Sequence, residues 1–137
     1  MKRILVIEDD KNIATALAIR LEAANYDVLT APNGLEGLKQ ILENQPDLIV
    51  MDIWMPAGLG FSVAQRLRGL GLSGIPIVFI TASKLPGLRE IAKGLGAVAF
   101  FEKPYDADQL LESISAALRS KELPIAEQTG PVAASMC

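Results

Sequence analysis

Leu48-Ile49-Val50-Met51 is an apolar run without a polar position, closed by Asp52 and bracketed by Pro46 and Pro56. A strand with one wet face alternates apolar and polar residues. A run that does not alternate needs cover on both faces, which suits a strand inside a parallel sheet. Asp52 then stands at the strand's carboxyl end, the edge where open α/β sheets bind their ligands. By itself Asp52 reads first as a residue that starts a turn. What surrounds it decides whether it does more.

Four other apolar runs read as strands: residues 3–8, Tyr26 to Ala31, Ile75 to Ile80 and Val98 to Phe101. Helical stretches lie between them. Asp10 caps a predicted helix over 11–24 with Ile13, Ala16, Leu17, Leu21 and Ala24 as its apolar stripe. Asn33, with Glu36 three residues on, opens a second helix that buries Leu35, Leu38, Ile41 and Leu42. A third covers 61–69 through Phe61, Ala64 and Leu67, after the glycine-bearing loop Ala57-Gly58-Leu59-Gly60. Pro86 to Leu95 is a weaker fourth. Asp106 caps a fifth over 107–120, with Leu110, Leu111, Ile114, Ala117 and Leu118 inward. Strands alternating with helices at this spacing predict an α/β fold, a parallel sheet with helices on both faces and right-handed crossovers. Residues 2–120 read as one domain. Residues 121–137, with Pro124, Gly130 and Pro131 and no periodicity, read as a disordered tail with no effector domain after it.

The chain's 137 residues carry a net charge of -3, with no long basic run. Direct binding to a nucleic-acid backbone is therefore not expected. There is no His, which excludes imidazole acid/base chemistry, His metal sites and a phosphohistidine within this chain. The one Cys is Cys137, so no internal disulfide forms. No apolar run has the length to cross a bilayer, and the run after Met1 ends in acids instead of a cleavage site. A cytoplasmic location is expected.

Polar groups end four of the five strand runs: Glu8-Asp9, Asp52, Thr81 and Lys103. Each alone has a plain role as a helix-terminal acid, a turn residue or a solvated charge. In a parallel sheet, however, these ends share one edge. Clustered carboxylates raise one another's pKa unless a cation sits among them, and Mg2+ suits one or two carboxylates plus waters. A carboxylate there could attack a phosphoryl group and form an aspartyl phosphate. Such a transfer needs mainly positioning and charge neutralisation, for which Lys103 and the Thr81 hydroxyl are suited.

The motifs Ile4-Leu5-Val6-Ile7-Glu8-Asp9-Asp10, Asp52-Ile53-Trp54-Met55-Pro56, Ile80-Thr81-Ala82, Gly96-Ala97 and Phe100-Phe101-Glu102-Lys103-Pro104 together resemble the receiver domains of two-component response regulators. The resemblance covers about residues 2–120. It implies a flavodoxin-like (βα)5 three-layer sandwich whose parallel five-stranded sheet has the order 2-1-3-4-5. It implies that Asp52 is the phosphoacceptor, served by a sensor histidine kinase or histidine phosphotransfer protein. Glu8, Asp9, Asp52 and the backbone carbonyl of Trp54 match the Mg2+ site. Thr81 matches the switch hydroxyl, Lys103 the ammonium that pairs with the phosphoryl group, and Phe100 the switch aromatic. The bond before Pro104 is often cis in this family. The output would be a changed surface around the helix after Thr81, the Phe100 strand and the last helix, read by a downstream protein.

Two positions depart from the family pattern. Leu59-Gly60 stands where an Asp-Gly pair is common. Trp54 is bulky for a position overhanging the site, and is expected to shield the phosphoryl group from water. Three other functions fit the residues less well. An Asp-nucleophile phosphatase of the dehalogenase-like type expects a second Asp two residues after the nucleophile, where this chain has Trp54. A pseudo-receiver that binds partners without phosphorylation would not need the Asp9, Asp52, Thr81 and Lys103 set. A flavin carrier would need a phosphate loop where Glu8-Asp9-Asp10 would repel phosphate. The chain is thus expected to be a signalling phosphoacceptor that turns over no separate substrate.

Overall fold

Leu48–Asp52 forms β3, and all of its residues are buried. In the computed structural model, which describes residues 1–53, 60–72 and 74–122, β3 is the middle strand of five. The elements run β1 (Arg3–Ile7), α1 (Lys11–Ala23), β2 (Asp27–Ala31), α2 (Gly34–Asn44), β3, α3 (Gly60–Gly69), β4 (Ile77–Thr81), α4 (Leu88–Gly94), β5 (Ala99–Glu102) and α5 (Ala107–Glu122). The sheet order is β2-β1-β3-β4-β5 and all four pairings are parallel. This is the flavodoxin-like order that the family resemblance implied.

Strand periodicity divides the core into two layers. Leu5, Ile7, Ile49, Met51, Ile77 and Phe79 point to one face, where Ile41 of α2, Val63, Ala64 and Leu67 of α3, and Ala92 of α4 cover them. Ile4, Val6, Leu48, Val50, Val78 and Ile80 point to the other, under Leu17 and Leu21 of α1 and Leu110, Ile114 and Leu118 of α5. Both faces of the three inner strands are dry, so their residues need not alternate.

The caps follow the expected chemistry. Asp10 Oδ1 accepts from the backbone N–H of Asn12 and Ile13, and Asn33 Oδ1 from that of Glu36 at 2.9 Å. Asp106 Oδ1 accepts from Asp108 and Gln109. Gly87, with φ 89°, precedes α4 in a conformation that other residues adopt with strain.

The buried stripes of two helices differ from the expected ones. On α1 the inward residues are Ala14, Leu17 and Leu21, while Ala16 and Ala24 are exposed. On α2 the inward residues are Gly34, Gly37 and Ile41, while Leu35 and Leu42 are 65% and 54% exposed. The cause lies at Gly37: a Cβ there would collide with Ile7 Cδ1 and come within 2.9 Å of Ile7 Cγ1. α2 therefore approaches the sheet through its glycines, and leucines one position away rotate outward. Val63 joins the α3 contact, with Phe61 partly buried against it. α4 is shorter than the 86–95 expected, and α5 continues to Glu122, past residue 120. The rest of the expected tail, 123–137, lies outside the described residues.

Candidate functional site

Three neighbouring acids after β1 enter three different environments. Glu8 continues the strand, its N–H donating to the Ala31 carbonyl at 3.0 Å, and its side chain is buried. Its Oε1 accepts from Lys103 Nζ at 2.8 Å and its Oε2 from the Asp10 N–H at 3.2 Å. Asp9 is exposed. Asp10 turns away to cap α1.

Asp52 ends β3 beside them, 5% exposed. Its Oδ2 accepts from Lys103 Nζ at 2.9 Å. Lys103 thus bridges two buried carboxylates from strands on either side of the crevice. Thr81, fully buried at the end of β4, presents Oγ1 as acceptor to the Ser83 N–H at 3.0 Å, and its carbonyl accepts from the Lys103 N–H at 2.7 Å. The four strand ends singled out in the sequence therefore do meet on one edge. The Lys103-Pro104 bond is cis.

Electrostatics follow from this crowding. Burial raises the Glu8 carboxyl from 4.5 to about 7; Asp9 and Asp52 push the same way, while the Lys103 ammonium and the Asp10 N–H oppose them. For Lys103, burial pulls the ammonium down, but its bonds to Glu8 and Asp52 outweigh this and the net shift is upward. Among the described residues, the Lys103 ammonium thus meets Glu8 and Asp52, with Asp9 beside them. Oxygens of Glu8, Asp9 and Asp52 lie within 4.8 Å of one another. All are hard carboxylate donors in a pocket with excess negative charge, so the residues fit a hard divalent cation such as Mg2+. Trp54, Leu59 and the rest of that loop lie outside the described residues.

Phe100 lies on the α4 side of β5 and is buried. The Arg89 guanidinium sits 4.8 Å from its ring centroid and donates to its carbonyl at 3.4 Å. A groove of about 670 Å³ opens beside them between α4, β5 and α5, with Ala92, Lys93, Ala99 and Ala117 in its wall. Neither Arg89 nor Lys84, which reaches Glu102 and the Lys103 carbonyl, was singled out in the sequence. Both are cations on a polar loop or helix, and no local pattern separates them from solvated charge.

A parallel five-stranded sheet of this order, with acids, a hydroxyl and a lysine at one edge, defines the receiver class. The profile of the response regulator receiver domain family matches residues 4–115, and the chain belongs to that family. Among similar proteins is the DNA-binding dual master transcriptional regulator RpaA of Synechocystis sp., 38% identical over 122 residues, covering 87% of this chain and 50% of that protein. Another is the alkaline phosphatase synthesis transcriptional regulatory protein PhoP of Bacillus subtilis, 36% identical, covering 89% and 50%. The chain spans about half the length of these relatives. A solved CheY-like response regulator receiver domain from Methanospirillum hungatei superposes with a TM-score of 0.83 at 28% identity, covering 89% of this chain and 97% of that one.

Proposed function

We propose that residues 2–120 are a phosphoacceptor domain of a two-component phosphorelay, in which Asp52 takes a phosphoryl group from a phosphohistidine on a sensor kinase or phosphotransfer protein. The observation that carries this reading is the Lys103 bridge to Glu8 and Asp52 at a metal-compatible acid cluster. An Asp52 oxygen forms the new O–P bond as the donor's P–N bond breaks, and the electron pair leaves with nitrogen. Glu8, Asp9 and Asp52 would hold Mg2+, with the Trp54 backbone carbonyl as the further ligand that the family resemblance implies, and the ion would supply positive charge for the phosphoryl oxygens. Lys103 supplies a second charge there. Because Thr81 Oγ1 acts as acceptor toward Ser83, its own proton is left to donate to the new anion.

The added charge shifts the balance between two arrangements of the β4–α4 and β5 region, with Thr81 and Phe100 as the moving groups. The reader is a downstream protein on the α4, β5 and α5 surface. We place the chain in the cytoplasm, without direct nucleic-acid contact by this domain, and assign it no substrate beyond its own acyl phosphate. No described helix is long and apolar enough to cross a membrane.

The test is incubation with phosphoramidate, with and without Mg2+, followed by intact-mass measurement. One phosphoryl adduct is expected with Mg2+, much less with chelator, and none in Asp52→Asn. An adduct that forms equally well in Asp52→Asn would refute the assignment. A chain that takes no adduct in Mg2+ would be read as a pseudo-receiver.

A further inference from the structure

Lys103 is held at three points. Its ammonium reaches Glu8 and Asp52, and its N–H donates to the Thr81 carbonyl. Its carbonyl accepts from Lys84 Nζ at 3.3 Å, and the same Nζ lies 3.0 Å from Glu102 Oε2. The first two contacts belong to the strand-end crevice itself. The third comes from the loop that must move if Thr81 turns.

That loop is tied to Thr81 residue by residue. The Ser83 N–H donates to Thr81 Oγ1 and the Leu85 N–H donates to Ser83 Oγ. Lys84 lies between these two bonds and reaches back across to β5, where Glu102 is the register partner of Thr81. Lys84 thus joins the segment carrying the hydroxyl to the backbone carrying the ammonium. A cavity of about 330 Å³ opens there, lined by Ser83, Lys84, Arg89 and Phe100 among others.

We infer that Lys84 is a positioning residue for phosphoryl transfer, holding Lys103 and the Thr81 loop in register so that ammonium and hydroxyl address the same group. The inference rests on the phosphoacceptor reading above. The Lys84 and Glu102 side chains are 65% and 46% exposed. Water screens such a pair, and it contributes little to stability. The bond to the Lys103 carbonyl is what distinguishes Lys84 from an ordinary surface cation. Its loss acts on rate, because small misplacement of a reacting centre's partners costs far more in rate than in folding.

The test measures the limiting rate of Asp52 phosphorylation at saturating phosphoramidate and Mg2+, alongside thermal unfolding. Lys84→Ala should slow the rate about threefold to tenfold, less than the roughly hundredfold of a misplacement of about 1 Å, with its melting temperature unchanged. Lys84→Arg keeps a donor and should restore the rate. The double variant Lys84→Glu with Glu102→Lys keeps the opposite charges but removes the donor to the Lys103 carbonyl, and should stay slow. An Ala variant at the parent's rate, an Arg variant as slow as Ala, or a rate restored by the charge swap would each overturn the inference. A parent that takes no phosphoryl group would instead overturn the underlying reading.

Discussion

Glu8 shows how one side chain's surroundings set its chemistry. It shares a sequence triplet with Asp9 and Asp10, yet it alone is buried, and its carboxyl rises to about 7. The sign of the stability effect follows. Between 4.5 and about 7 the folded protein holds a proton on Glu8 that the unfolded chain has lost, so this group's contribution to stability falls as pH rises through that window. In chelator, urea unfolding at pH 8 should therefore show lower stability than at pH 5. Glu8→Gln should flatten the slope, and a variant that keeps the parent's slope would contradict the assignment. The acids were legible as a group because they follow an apolar strand. Their division into a buried carboxyl bonded to Lys103, an exposed one and a helix cap was not, since it depends on where Lys103 arrives from 95 residues away.

At the scale of elements, α2 is the instructive case. Its leucines suggest a buried stripe at Leu35, Leu38, Ile41 and Leu42, but the sheet is met by Gly34, Gly37 and Ile41. Hydropathy identifies side chains that gain by burial; it does not identify positions where there is no room for a side chain. Ile7, itself fully buried, occupies the space a Cβ at position 37 would need. Gly37→Ala should cost about 1–3 kcal/mol through overpacking, despite Ala's better helix propensity. Ile7→Val removes the colliding Cδ1, so the double variant should be less destabilised than the sum of the singles. Strict additivity in denaturant titrations would show that α2 does not pack as described. Caps, in contrast, were readable at Asp10, Asn33 and Asp106, because their bonds are local.

For the molecule as a whole, parallel topology converts sequence order into a site. Apolar runs that need cover on both faces force a parallel sheet, and a parallel sheet gathers the residues that follow its strands on one edge. That is why Asp52, Thr81 and Lys103 could be joined from the sequence alone. The links between that edge and the α4–β5–α5 surface could not. Arg89 on Phe100 and Lys84 on Glu102 are tertiary pairings between residues 11 and 18 positions apart, made by solvated-looking cations. The proposed role requires Asp52 itself to carry the phosphoryl group, which borohydride trapping reads chemically. The protein is treated with phosphoramidate and Mg2+, reduced with borohydride, digested and mapped by mass spectrometry. An acyl phosphate at Asp52 should appear as homoserine at that position and nowhere else. Homoserine at another aspartate, with Asp52 unchanged, would contradict the assignment of Asp52.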